Sequence, residues 1–180
     1  SPYSATLDST TLTNASHSLV AKAYDAAGNI GTSSTVTFTI SNGGGTVTEL
    51  ITNGGFESGT ASWTASTGVI TTSTSEAAHA GSYKAWLDGY GTATTDTVSQ
   101  TVTIPATATT ATLSFWLHID TAETSTTTAY DTLTVTANST TVATFSNRNH
   151  NTGYALKTFS LGSFAGRSVT PKFRGPEDTH

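Results

Sequence analysis

Two tryptophans stand among hydrogen-bonding residues in segments whose alternation is typical of β-strands. Trp86 shares one predicted strand face with Lys84 and Asp88, and Trp116 shares another with His118. A flat aromatic ring rimmed by polar groups suits a sugar, because sugar C–H patches stack on the ring while the hydroxyls form hydrogen bonds. These five residues are therefore the predicted ligand-binding set, on the condition that the two strands are neighbours. The alternative is that both tryptophans lie under loops or against a neighbouring domain.

Three carboxylates bracket a threonine-rich polar stretch and could converge at its base. They are Asp120, Glu123 and Asp131, and the stretch between them, Thr121–Tyr130, is predicted to be an exposed loop. Calcium takes six to eight oxygen ligands, so this set, which Glu177 could join, is a candidate calcium site. The alternative is a solvated acidic loop without a metal.

The common catalytic motifs are missing from the sequence. It has no Gly-x-Ser-x-Gly elbow, no His-Glu-x-x-His pair and no cysteine. The five histidines are scattered, and the carboxylates show no spacing that indicates a glycosidase pair. The sequence therefore predicts a non-catalytic protein.

Composition narrows the class of protein further. Net charge is −5 without a basic run, so nucleic acid is not an expected partner, and no apolar stretch is long enough to span a bilayer. Charged residues make up only 11%, and threonine is the commonest residue, which favours strands. A Thr/Ser-rich surface poor in lysine is typical of exported bacterial proteins. The expectation is an all-β segment from the interior of a longer, secreted bacterial chain.

Period-two alternation predicts three strands near the start of the chain. They cover Tyr3–Leu7, His17–Tyr24 and Ser34–Ile40. Asp25–Asn29 is predicted to be a hairpin turn, in which Gly28 takes a positive φ. A metal-binding role for Asp25 and Asn29 is the less favoured alternative.

The segments 16–29 and 36–41 resemble the last strands of a bacterial immunoglobulin-like repeat. The resemblance implies that residues 1–41 form part of such a domain, without its first strands. Since a full domain needs about 100 residues, this portion is expected to lack a closed core and to be poorly protected. Residues 42–46 are rich in glycine and predict a flexible linker to a second domain, residues 47–180.

Short strand patterns recur at regular spacing from residue 47 onward, which favours a jelly-roll sandwich. The predicted strands are Val47–Thr52, Val69–Thr72, Tyr83–Asp88, Thr97–Ile104, Thr110–Asp120, Thr132–Ala137, Thr141–Phe145, Leu156–Leu161 and Ser168–Phe173. In the fifth of these, Leu113 and Phe115 are expected to face the core and Trp116 to face outward.

Three segments carry a resemblance to jelly-roll carbohydrate-binding modules. Asn53–Trp63 is similar to their opening turn, His79–Trp86 to their second signature segment, and Leu113–Asp120 to a central strand. The closer likeness is to a jelly-roll module found near the C-terminus of secreted bacterial peptidases. In those modules an Asp-rich last strand follows a segment like Gly175–Asp178, so this chain is expected to lack that strand.

The resemblance implies a structural calcium ion. It places Glu57 and the backbone near Gly81 around the ion, together with an aspartate of the last strand. The alternative for Glu57 is a strand-edge acid that accepts hydrogen bonds from backbone N–H groups.

The function predicted from the sequence is that of a secreted accessory module. It would bind polysaccharide or a cell-surface glycan for a parent hydrolase whose other domains lie in the same chain. One alternative is a structural or adhesive spacer, including a filament-forming module assembled by strand exchange through open sheet edges. The other is the tail of a secreted peptidase.

Overall fold

Strands make up most of the regular structure in the computed structural model, which describes residues 6–40 and 47–177. Helical structure in this part of the chain is limited to three short 3-10 turns, so the predicted all-β class is confirmed. No helix among these residues is long and apolar enough to cross a bilayer. The chain divides into two compact units, Ser1–Thr48 and Glu49–His180. The predicted linker at 42–46 lies outside the described residues.

The first unit holds two antiparallel strand pairs. Its strands are β1 (Ser16–Leu19), β2 (Lys22–Tyr24), β3 (Ile30–Thr32) and β4 (Val36–Thr39). β1 pairs with β4 and β2 with β3. The predicted strand His17–Tyr24 is therefore two strands, and β3 was not predicted. Thr6 and Leu7 are not in a strand, and the rest of the predicted first strand is outside the described residues.

The turn between β2 and β3 is built by Asp25. Its Oδ1 accepts hydrogen bonds from the backbone N–H groups of Ala27 and Asn29, each at 2.9 Å, and Asn29 Nδ2 donates to its Oδ2 at 2.7 Å. These bonds, led by the one from the Asn29 side chain, lower the pKa of Asp25. Gly28 has φ +86°, so the predicted turn role of this segment is confirmed.

Large apolar side chains of the first unit remain in contact with solvent. Six of them are more than half exposed: Leu7, Leu19, Tyr24, Ile30, Val36 and Val47. Ile40 is buried. Two strand pairs cannot cover each other's apolar faces as two full sheets would, which fits the expectation of an incomplete core.

The second unit contains eleven described strands arranged around a five-stranded antiparallel sheet. The strands are β5 (Thr64–Ala65), β6 (Ile70–Thr71), β7 (Lys84–Ala85), β8 (Thr94–Ser99), β9 (Val102–Thr103), β10 (Thr112–Leu117), β11 (Thr132–Ala137), β12 (Thr140–Ser146), β13 (Ala155–Ser160), β14 (Ser168–Val169) and β15 (Pro171–Glu177). The order in the main sheet is β12-β11-β15-β8-β5. Three further pairs are β10-β13, β6-β7 and β9-β14.

A phenylalanine cluster joins the β10-β13 pair to the main sheet. The ring of Phe115 on β10 lies 6.0 Å from Phe159 on β13, and 4.8 Å and 6.4 Å from Phe173 and Phe145 on the main sheet. Val135 on β11 is fully buried in the same core. The two layers are thus held together by the aromatic and aliphatic side chains between them.

Most sequence predictions for the second unit agree with the strands, with clear exceptions. β11 has the predicted bounds, β10 buries Leu113 and exposes Trp116 as expected, and Thr121–Tyr130 is a loop. Residues 47–52 form no strand, and the predicted strand Tyr83–Asp88 is reduced to β7. Gly175–Glu177 belongs to the central strand β15.

Candidate ligand-binding cavity

The cavity opens where β11 and β15 separate within the main sheet. Their pairing runs from Ala137–Pro171 to Thr134–Arg174 and then stops, while β15 stays paired with β8 as far as Glu177. Pro176 has no N–H to offer a neighbouring strand. Asp131 and Leu133 at the start of β11, and Glu177 at the end of β15, line the resulting space of about 600 Å³.

Seven of the ten predicted site residues line this one cavity. They are Lys84, Trp86, Asp88, His118, Asp120, Glu123 and Asp131. The sequence assigned the first four to a sugar platform and the last three to a separate acidic loop. The fold combines them, because the segment after β10 and the segment after β7 border the same opening. Trp116, Glu57 and Gly81 are not among the lining residues.

Carboxylates at the ends of β8 and β15 fix the loop that follows Trp86. Glu177 accepts hydrogen bonds from the backbone N–H groups of Tyr90 at 2.8 Å and Gly91 at 2.6 Å. Asp96 on β8 accepts one from the N–H of Asp88 at 3.1 Å, and Asp88 itself has φ +63°. Such charge-assisted bonds are stronger than neutral ones, so they hold the loop against the sheet end.

Asp88 is the most perturbed acid of the cavity. Burial, followed by repulsion from Asp96, Glu177 and Asp131, raises its pKa from the ordinary 3.8 to about 7. Its Oδ1 atom is buried and has no hydrogen-bond partner among the described residues. The carboxylate lies directly against Gly175, where a Cβ atom would collide with it. Asp88 therefore carries a buried oxygen that no donor among the described residues satisfies.

Lys84 holds Trp86 in place and is itself buried, at 8% exposure. Its ammonium donates to the carbonyl oxygens of Ser73 and, at 2.8 Å, Glu76, and lies 5.2 Å from the Trp86 ring centroid. The expectation that Lys84 lies on an exposed face was wrong, because backbone carbonyls satisfy its charge inside the fold. Trp86 is part-buried and also borders a smaller hollow of about 220 Å³.

Trp86 and Trp116 do not share a sheet face, because β7 pairs with β6 while β10 pairs with β13. The condition for a single flat platform is therefore not met. Trp116 is 48% exposed and stacks on His79, with ring centroids 4.1 Å apart and planes 16° from parallel. One face of the indole is thus covered by an imidazole.

His118 lies at the cavity wall and not on the outward face of β10. Its side chain is 17% exposed, its Nε2 donates to the Asn151 carbonyl at 2.9 Å, and its Nδ1 lies 4.0 Å from a Glu76 carboxylate oxygen. The outward facing predicted for His118 was wrong, since β10 ends at Leu117 and the alternation ends with it. The ring is nevertheless held by fixed partners, as a binding residue requires.

Glu57 and Gly81 lie together, as the resemblance implied, but N–H donors face the carboxylate. Glu57 Oε1 accepts hydrogen bonds from the backbone of Ser82 and Tyr83, each at 2.9 Å. Gly81 has φ +68°, and a Cβ there would collide with the carboxylate. These N–H groups hold Oε1, so calcium, which takes six to eight oxygen ligands, would have only Oε2 of this carboxylate.

The acidic loop does not assemble a metal cage either. Among residues 6–40 and 47–177, no three His, Asp or Glu side chains come close enough together to hold one ion. Asp120, Glu123 and Asp131 share the cavity lining without forming such a group. Calcium therefore stays a prediction of the resemblance, without a donor set that fits it.

Sequence reasoning missed four residues that shape this region: Glu76, His79, Asp96 and Tyr154. Asp96 could have been found, because it lies two positions before Val98 and so shares the inward face of β8. A buried carboxylate is costly unless it is hydrogen-bonded, so an acid at such a position indicates a specific role. The other three are brought to the site by contacts between distant segments. Tyr154 Oη, for example, donates to the Ala77 carbonyl across 77 positions of the chain.

Comparison with known proteins yields no relative. No family model matches the sequence, and no curated protein or solved structure is significantly similar to the chain.

Proposed function

We propose that the second unit is a non-catalytic glycan-binding module whose ligand site is the cavity beside Trp86. The observation that carries this proposal is the meeting of Trp86, His118 and several carboxylates around one opening of about 600 Å³. That volume lies within the range of small-molecule sites, roughly 300–1,000 Å³.

The chemistry of the lining supports a sugar ligand. Trp86 offers part-exposed aromatic surface for a sugar ring, and the Lys84 ammonium lies over the indole at 5.2 Å from its centroid. Carboxylates accept hydrogen bonds from hydroxyl groups, and those of Asp120, Glu123 and Asp131 line the opening. A polyhydroxylated ligand supplies many donors of this kind.

The wider context rests on the sequence resemblance. The jelly-roll topology of the second unit, the immunoglobulin-like character of the first, secretion by a bacterium and a parent hydrolase in the same chain all belong to this proposal.

A glycan array followed by pull-down on insoluble polysaccharides tests the proposal. We expect retention by the intact chain, loss in Trp86→Ala, and partial retention in Trp86→Phe, which keeps an aromatic face. Tyr24→Ala is the matched control, since it removes an exposed aromatic ring from the first unit. Binding that survives Trp86→Ala would contradict the proposal.

Assembly is a second candidate, favoured by the first unit. Its apolar side chains Leu19, Ile30 and Val36 are more than half exposed, on strands that each pair with one neighbour among the described residues. Open edges and uncovered faces favour addition of strands from another chain. Concentration-dependent oligomers that Leu19→Ser or Val36→Ser disperse would support this function, and a monomer at all concentrations would contradict it.

A further inference from the structure

A group of three aromatic rings, of which two are exposed and one is part-buried, borders the cavity rim. We call His79, Trp116 and Tyr154 the aromatic shelf. His79 stacks on Trp116 and meets Tyr154 edge to face, with ring centroids 5.3 Å apart. Leu156, opposite Trp116 on the neighbouring strand, is 53% exposed and extends the apolar surface.

Two residues connect the shelf with the cavity. Tyr154 belongs to the shelf and also lines the cavity, and His118, another lining residue, has its ring centroid 5.6 Å from that of Tyr154. Glu76 lines the cavity as well and lies 4.0 Å from His118. The cavity-lining residues His118 and Tyr154 thus connect the cavity directly with the aromatic shelf.

The shelf is held in a defined geometry. Tyr154 is anchored by its hydrogen bond to the Ala77 carbonyl at 3.0 Å, and Trp116 is fixed by the pairing of β10 with β13. A preformed aromatic surface costs little ordering entropy when a ligand binds. Exposed apolar surface that is grouped in this way is typical of a binding surface.

We propose that the cavity and the aromatic shelf form one extended site for a glycan chain. A terminal sugar occupies the cavity beside Trp86, and the following sugars of the same chain lie along the shelf on Trp116 and Tyr154. This inference rests on the proposed function and specifies its substrate class as oligomeric chains that are bound at an end. Single sugars and disaccharides reach only the cavity.

A ladder of oligosaccharide lengths tests the inference. The probes are cello-oligosaccharides and chito-oligosaccharides of two to six sugars, titrated into the full chain by calorimetry. We expect affinity for at least one series to rise about 10-fold or more from the dimer to the hexamer, as added stacking contacts predict. Trp116→Thr should remove that gain and leave the dimer affinity unchanged, whereas Trp86→Ala should weaken every length.

Threonine is chosen at position 116 because it already stands at the outward position 112 of the same strand. His79→Ala is the second variant, which uncovers the indole without touching β10, and Tyr24→Ala is the control. Equal affinities for dimer and hexamer, or hexamer binding unaffected by Trp116→Thr, would overturn the extended site and leave the cavity proposal standing. If no length of either series binds, the proposed function fails for these glycans and the shelf inference fails with it.

Discussion

The charge on Asp88 should weaken the fold at neutral pH, and Asp88→Asn removes that charge while keeping the side-chain shape. Asn also tolerates the positive φ of this position. The rise of the Asp88 pKa from 3.8 to about 7 corresponds to a loss of folding stability of at most about 4 kcal/mol when the group ionises, at about 1.4 kcal/mol per pKa unit. Because the side chain is only part-buried, solvent screening reduces the expected effect to roughly 1–2 kcal/mol.

The sign follows from the direction of the shift. A carboxyl group with a raised folded-state pKa binds its proton more tightly in the folded than in the unfolded protein. Its ionisation therefore lowers stability progressively as pH rises from about 4 to about 7, and the loss is complete above pH 7. We expect Asp88→Asn to be more stable than the parent by about 1–2 kcal/mol at pH 8 and similar to it near pH 4.

Urea unfolding followed by tryptophan fluorescence measures this difference. All three tryptophans, Trp63, Trp86 and Trp116, lie in the second unit, so the signal reports that unit alone. Asp120→Asn is the matched control, because Asp120 lines the same cavity but is exposed. A stability difference that is independent of pH, or a loss of stability at pH 8, would refute the assignment of strain to the Asp88 charge.

Three further predictions concern the surroundings of the cavity and the first unit. Gly175→Ala should lower the free energy of unfolding by about 1–3 kcal/mol, because the added Cβ collides with the Asp88 carboxylate. In the Asp88→Ala background the same substitution should lower it by less, whereas additive effects of the two substitutions would contradict the contact. Glu57→Gln should lower stability by about 1–2 kcal/mol equally with calcium and with chelator, whereas a loss confined to calcium would place the ion at Glu57. In hydrogen exchange, amides of β1–β4 should exchange faster than those of β11 and β15, and slow exchange in β1 and β4 would mean that their faces are covered.

The sequence predicted those features of the fold that are determined by residues close together in the chain. The alternation of threonine with apolar residues fixed β11 at Thr132–Ala137, and the same period placed Leu113 inside and Trp116 outside. The turn at Asp25 was also readable, because Asp and Gly at this spacing favour a specific hairpin geometry. In each case the determining contacts lie within a few residues.

The predictions that failed concern residues whose surroundings are set by contacts between segments distant in the sequence. Lys84 is buried because two carbonyls from the preceding loop receive its ammonium, and no alternation pattern contains that information. Asp88, Asp96 and Glu177 converge through the pairing of β8 with β15, strands more than 70 positions apart in the chain. The sequence therefore supplied seven residues of the cavity lining but assigned them to two sites.

The proposed glycan site is the cavity beside Trp86, and NMR can test it directly. Each tryptophan gives one indole N–H signal in a ¹⁵N-correlated NMR spectrum, and the three indoles lie in different surroundings. On titration with a glycan retained in the pull-down, we expect the Trp86 signal to shift and saturate. The Trp63 signal should stay unchanged, because Trp63 is not among the residues that line the cavity. Its indole N–H donates to the Asn53 carbonyl at 2.9 Å. A saturating titration that leaves the Trp86 signal unmoved would contradict the account.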